Sequence, residues 1–193
     1  MTELPMQPEV HPWTLVREET FTAPAGYMRL ATRTYRLPDG RDSDWDIVVG
    51  GSTVAVLALT TDGRVLLVRQ YRPGPDRILD EMPGGVVDEG EDVAAAALRE
   101  LREETGYVGE IEVLGSTHLS ASATTIRHVA VARDCVQVGP PSPVGDEFLE
   151  PLLVSLAEFR AQLREGALTD TDLGYQALDL VGLLRDDALD HRG

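Results

Sequence analysis

Three carboxylates, Glu100, Glu103 and Glu104, stand at positions i, i+3 and i+4. At about 100° per residue of an α-helix they fall within an arc of roughly 100° on one face. Like charges at these spacings repel one another on an isolated helix. A hard divalent cation removes that penalty: magnesium takes oxygen ligands and keeps coordination sites open for a substrate phosphate. A lone Glu-Glu pair on a helix is ordinarily a solvated face, but this trio belongs to a wider pattern. Gly85, Glu91, Arg99, Glu100, Glu103, Glu104 and Gly106 fix seven residue identities at set spacing. With each type at roughly 5–7% usage, chance gives on the order of 10⁻⁹ per window.

These residues need a loop and a helix to position them. Val93 to Thr105 reads as the clearest helix, with Asp92 as N-cap, an Ala94–Ala97 run of high propensity, and Gly106 just past the end. Ala94, Ala97, Leu98 and Leu101 form the face expected to bury against a sheet. Upstream, Val54–Leu59 and Val65–Arg69 are apolar, β-branched runs joined by Thr61-Asp62-Gly63, a hairpin signal. Ile78–Met82 reads as a short strand entering Pro83-Gly84-Gly85. Tyr27–Leu37 alternates as a strand, Trp45–Val49 is a second, and residues 1–20 read as loosely ordered. After the helix, Ile111–Thr117 and His128–Ala132 read as strands separated by the small-residue loop Ser120–Thr125. Gln137–Asp146 reads as a loop. Phe148–Ser155 is a strand in which Pro151 suits an edge, and helices near Leu156–Glu165 and Asp172–Leu184 close the chain. The organisation is an N-terminal β segment over residues 1–50 and a core domain over residues 51–193.

The stretch Gly85–Tyr107 resembles the box of the Nudix hydrolase family, G-x5-E-x7-R-E-U-x-E-E-x-G-U with U a bulky aliphatic. Tyr107 departs from the preferred aliphatic, at a buttressing position. The resemblance implies an α/β fold, the Nudix-type α/β/α sandwich with a small N-terminal β extension. It implies that Glu100, Glu103 and Glu104 ligate Mg2+, or alternatively Mn2+, with the Gly84 carbonyl as a further ligand. Glu91 and Arg99 then hold the loop on the helix, Arg99 pairing with Glu103 or Glu91. Upstream, Val68-Arg69-Gln70-Tyr71-Arg72-Pro73 and Leu79–Gly85 resemble the ADP-ribose and nucleotide-sugar pyrophosphatase branch. In that resemblance Arg72 contacts phosphate, Trp45 sandwiches the base, and the N-terminal segment makes a homodimer. A glutamate before the final strand activates water: Glu147 is the candidate, with Glu150 second and Glu103 next. The implied reaction is hydrolysis of the diphosphate bridge of a nucleoside diphosphate derivative, ADP-ribose to AMP and ribose 5-phosphate. The segment Leu119–Thr125 lacks the proline common in ADP-ribose enzymes, which keeps a GDP-sugar or another nucleotide sugar as an alternative. A binding module that senses nucleotide sugars without chemistry is the alternative from another class, and it would be favoured by a degenerate box.

Composition narrows the partners. Seventeen Lys and Arg against 33 Asp and Glu leave a net charge of −16 over 193 residues, a field that repels nucleic acid and anionic membranes. No apolar run approaches the length of a membrane span, and the first residues lack the basic-then-apolar order of a signal peptide. Cys135 is the single cysteine, so no intrachain disulfide forms, and a reducing cytoplasm is the expected setting. The expected partner is a small-molecule nucleoside diphosphate.

Overall fold

A computed structural model describes residues 11–143 and 148–184. The chain divides into two compact units: Met1–Gly50 with Leu119–Thr125, and Gly51–His118 with Ile126–Gly193.

The first unit is a three-stranded antiparallel meander of β1 (Thr14–Thr22), β2 (Arg29–Arg36) and β3 (Asp42–Val49). Polar cross-strand pairs bind it. Arg33 meets Glu18, Arg36 meets Asp42, and the Thr34 hydroxyl donates to Asp44 at 2.6 Å. Leu119–Thr125 docks on this unit rather than on the core: the Val48 N–H donates to the Ser122 carbonyl, and the Thr124 N–H to the Val48 carbonyl. The loose order expected for residues 1–20 is corrected from Thr14 onward, where β1 forms. All nine of its residues are exposed, so burial imposes no alternation on its sequence. The ladder to β2 alone makes it a strand.

The second unit is a seven-stranded mixed sheet in which β4 (Ser52–Thr60) is central. It pairs antiparallel with β5 (Val65–Arg72) and β7 (Gly84–Val87), and parallel with β9 (Ile126–Gln137). β6 (Arg77–Glu81) and β10 (Leu149–Val154) both pair with β5, and β8 (Tyr107–His118) pairs with β9. Pro151 lies on β10 at the end of the strand order, the edge position its missing N–H requires. Strands β8 and β9 are longer than their sequence suggests, because pairing continues through residues that are only half-buried.

The runs in β4, β5 and β9 are apolar throughout because both faces of the sheet are covered. Val54, Val56 and Ala58 pack with Leu66, Ala130 and Ala132 under α1 (Val93–Thr105). Their neighbours Ala55 and Leu57 face the other way, with Val65, Leu67, Val129 and Val131. There they meet Phe159 and Leu163 of α2 (Leu156–Glu165) and Leu173, Ala177 and Leu178 of α3 (Thr171–Leu180). This is the expected α/β/α sandwich. Helix α3 ends four residues earlier than the sequence reading placed it, at Leu180. Among the described residues no helix is long and apolar enough to cross a membrane.

Helix α1 carries the candidate chemistry, and its seating differs from expectation. Ala96, Ala97 and Leu101 are buried, whereas Leu98 is 38% exposed. The sheet meets the stripe through Ala97, Leu101 and Glu104, and Leu98 lies a quarter-turn away from it. Leu101→Ala should therefore cost about 2–5 kcal/mol by denaturant unfolding, while Leu98→Ala costs less than about 1 kcal/mol. Equal losses would mean that the helix is seated differently.

Candidate active site

The loop Gly84–Glu91 is fastened to α1 by one guanidinium. Arg99 donates from Nε to Glu91 Oε1 at 3.0 Å and from Nη2 to Glu91 Oε2 at 2.9 Å. Its Nη2 also reaches the Val86 carbonyl at 3.0 Å, and its Nη1 reaches Glu100 Oε1 at 2.7 Å. Glu103 lies one turn on, 3.5 Å from the same nitrogen. Arg99 thus pairs with both residues expected as alternatives, Glu91 and Glu103, and also with Glu100. The guanidinium beside Glu91 holds that carboxyl down at about 2, and the Asp88 N–H adds to the effect. The same pairing raises Arg99 above its ordinary value. The helix start is capped by Asp92, which accepts from Ala94 and Ala95 N–H at 3.0 and 3.2 Å.

Glu104 is buried at 4% exposure, and its Oε2 accepts the Gly84 N–H at 2.8 Å. The loop approaches so closely that side chains have no room there. A Cβ on Gly84 would sit 2.1 Å from the Val54 carbonyl oxygen, and one on Gly85 would sit 2.5 Å from Glu100 Oε1. Gly84 needs glycine because backbone of β4 occupies the space, whereas a side chain at Gly85 would have to displace the Glu100 carboxylate.

Glu100, Glu103 and Glu104 therefore share one helix face beside Gly84 and Gly85. As they stand, Glu100 is drawn to Arg99 and Glu104 to the Gly84 N–H. Among the described residues no three Asp, Glu, His or Cys side chains gather closely enough to hold a metal ion. By chemistry the set fits a hard divalent cation, because every donor is an oxygen and three carry charge.

The other expected residues are placed as follows. Arg72 ends β5 and makes a bidentate pair with Glu81: its Nε lies 2.9 Å, and its Nη2 2.5 Å, from Oε2. Glu81 is 3% exposed and also accepts the Thr169 hydroxyl at 2.7 Å. Trp45 lies in the first unit, 43% exposed, with its ring centroid 5.4 Å from that of Trp13. Glu147 lies outside the described residues, and Glu150 is on β10, exposed.

Sequence reasoning missed a second group of residues. Thr169, Asp170 and Arg127 line a cavity of about 190 Å³ together with Arg72, Glu81 and Gly84. Asp170 occupies the N-cap position of α3, yet its side chain makes no capping bond. It is 9% exposed, and its Oδ1 has no hydrogen-bond partner. The only sequence signal was Thr169-Asp170 just before a helix, which ordinarily marks a cap.

Comparison with known proteins places this geometry. The NUDIX domain family model matches residues 50–171, and the chain belongs to that family of hydrolases. Members generally use divalent metal ions. The chain is 30% identical over 165 residues to the ADP-ribose pyrophosphatase of Bacillus subtilis, covering 84% of this chain and 88% of that protein. It is 32% identical over 177 residues to the methanol dehydrogenase activator of Bacillus methanolicus, covering 89% and 95%. A solved structure titled as an ADP compounds hydrolase shares the fold, with TM-score 0.74 and 22% identity, over 92% of this chain and all of that one.

Burial, then the charge of Glu81, pushes Asp170 up to about 7 from an ordinary 3.8. Arg72 and Arg127 line the same cavity. A raised pKa means that the folded state prefers the proton. This stabilising contribution is complete below about pH 4 and is lost as pH rises through about 7. Asp170→Asn, which cannot ionise, should raise Tm relative to the parent more at pH 8 than at pH 5. A difference independent of pH, by scanning fluorimetry in EDTA, would contradict this.

Proposed function

We propose that this protein hydrolyses the diphosphate bridge of ADP-ribose, one P–O bond breaking as water adds, to give AMP and ribose 5-phosphate. The observation that carries the reading is the Glu100–Glu103–Glu104 face of α1, joined through Arg99 and Gly84 to the loop before it. Similarity to an ADP-ribose pyrophosphatase over 84% of the chain supports the substrate.

Glu100, Glu103 and Glu104, with the Gly84 carbonyl, would hold Mg2+, with Mn2+ as the alternative. When bound, the cation supplies the charge that neutralises the diphosphate and polarises one phosphorus. Glu91 and Arg99 keep the loop seated on the helix while Glu100 and Glu103 turn to their ligand. The Arg72 guanidinium, set by its fork on Glu81, offers donors to a phosphate oxygen. Glu147 draws the proton from the attacking water, with Glu150 as second candidate. The exposed ring of Trp45 offers a face for stacking the base.

Several features of the first unit support a homodimer. Every residue of β1 is exposed, and Trp13, Leu15, Val16 and Phe21 all lie in or beside that strand at 43–50% exposure. Large apolar side chains left exposed along one strand are the kind of surface that an interaction face uses. The single cysteine, buried and pushed up to about 11, suits a cytoplasmic setting in which no disulfide is needed.

ADP-ribose and a panel of GDP-sugars and other nucleotide sugars, assayed for phosphate-ester release, test the activity. Turnover of ADP-ribose should vanish in EDTA and return with magnesium. Glu104→Gln and Glu147→Gln should each lower kcat by about 10²–10⁴-fold, with Glu147→Gln leaving the metal requirement intact. Turnover of a GDP-sugar alone would replace the substrate, and full turnover in chelator would end the metal mechanism.

Assembly is read separately by sedimentation, which should report about twice the chain mass of 21.0 kDa. Replacing Leu15 and Phe21 with Ser should return the protein to monomer. A parent chain that sediments as a monomer refutes the dimer.

A further inference from the structure

Helix α1 turns a second face outward, away from the sheet. Ala95, Leu98 and Arg102 follow one another at i, i+3 and i+7 and form a stripe along it. Val108 at the start of β8 and Ser142 in the loop after β9 stand across from them. With Arg99 and Glu103 they enclose a groove of about 490 Å³. The loop wall is pinned to the helix end. The Ser142 N–H donates to the Glu103 carbonyl at 2.7 Å, and the Val138 N–H to the Gly106 carbonyl at 2.9 Å. Gly106, at φ +76°, lets the loop come so near that a Cβ there would lie 2.1 Å from the Gly139 carbonyl oxygen. The lining is divided. Ala95, Leu98 and Val108 give it an apolar side, on which Leu98 stays exposed. The Arg99 guanidinium is engaged by Glu91, Glu100 and Glu103. The Arg102 side chain, by contrast, has no hydrogen-bond or ion-pair partner among the described residues.

We propose that this groove is an effector site for a small apolar monocarboxylate, its body on Leu98 and Val108 and its carboxylate on Arg102. The size suits it, since pockets for small organic ligands begin at roughly 300 Å³. The charge suits it as well. An unpaired guanidinium beside an apolar wall, in a chain of net charge −16, complements an anion with an apolar body. A single negative charge fits better than the two of a phosphate. Arg102 lies in the last turn of α1, where the helix dipole is negative, and the Glu103 carboxylate borders the groove. Arg99 and Glu103 also belong to the metal face, so occupancy of the groove and of that face are linked. A cation that draws Glu103 toward itself leaves the charge of Arg99 less neutralised, which tightens binding of the acid. By reciprocity the acid then tightens binding of the cation by the same factor. The linkage rests on the reading that Glu103 holds Mg2+; binding of the acid does not.

The test is calorimetric titration of the full chain with 2-naphthoate, first in EDTA and then in magnesium, with naphthalene-2-carboxamide as the uncharged control. In EDTA the parent should bind 2-naphthoate with Kd below about 1 mM and prefer it to the amide by about tenfold. Arg102→Gln should abolish that preference, and Arg102→Lys, which keeps the charge, should retain most of it. Leu98→Ala should weaken both probes by about threefold or more. Magnesium should tighten 2-naphthoate by about fivefold. No binding to the parent, equal affinity for acid and amide, or an undiminished preference in Arg102→Gln would each overturn the site. Equal affinity for 2-naphthoate in EDTA and in saturating magnesium would overturn the linkage. Titration of the parent with magnesium alone reports on the metal reading, so its failure and failure of the groove are distinguishable.

Discussion

The site depends on one guanidinium. Three carboxylates on a single helix face repel each other, and a fourth, Glu91, is brought up to the same helix by the loop. Arg99 lies within reach of Glu91, Glu100 and Glu103 and also ties down the Val86 carbonyl. It therefore offsets the repulsion and fixes the loop geometry together. Its planar fork makes this possible, since a lysine could not address Glu91 through two nitrogens while reaching the helix face with a third. The low pKa of Glu91 expresses the same interaction from the acid side.

A second constraint is backbone proximity. The loop enters through Gly84 and Gly85 so close to β4 and to Glu100 that a methyl group on Gly84 would collide with backbone and one on Gly85 would displace the Glu100 carboxylate. That closeness lets the Gly84 N–H reach Glu104, a buried carboxylate 20 residues away along the chain. The sheet supplies the rigidity. β4 is covered by α1 on one face and by α2 and α3 on the other, so its carbonyls are fixed reference points for the loop. The candidate site residues sit on helix α1 and at the end of β5 in this packed frame.

On the opposite face of the sheet the same frame does something less conventional. The start of α3 brings Thr169 and Asp170 against Glu81, so that a pair of buried acids faces Arg72 and Arg127 across a small cavity. Thr169 stabilises Glu81, and Glu81 in turn orients Arg72. The Arg72 guanidinium is thus set from the far end of the chain. One carboxylate oxygen of Asp170 is buried without a hydrogen-bond partner among the described residues.

The loop–helix unit, its caps and the buried strands are determined by the sequence itself, because each leaves a local periodic or terminal signal. Asp92 and Gly106 bound α1, and the unbroken apolar runs of β4 and β5 announce burial on both faces. Other features were decided only by the tertiary structure. Strand β1 has no buried residue to impose alternation, so only its partner β2 defines it. The choice of Ala96 over Leu98 as an inward residue depends on where the sheet meets the helix. The Thr169–Glu81 bond spans 88 residues, and no spacing rule reaches so far. Asp170 carries the plainest lesson: its sequence context is that of a helix cap, yet its carboxylate makes no capping bond and lines a cavity with Arg72, Glu81 and Arg127. Local sequence specifies elements and caps through short-range sterics and hydrogen bonding. Which charges meet is settled only when distant elements pack and water is excluded between them.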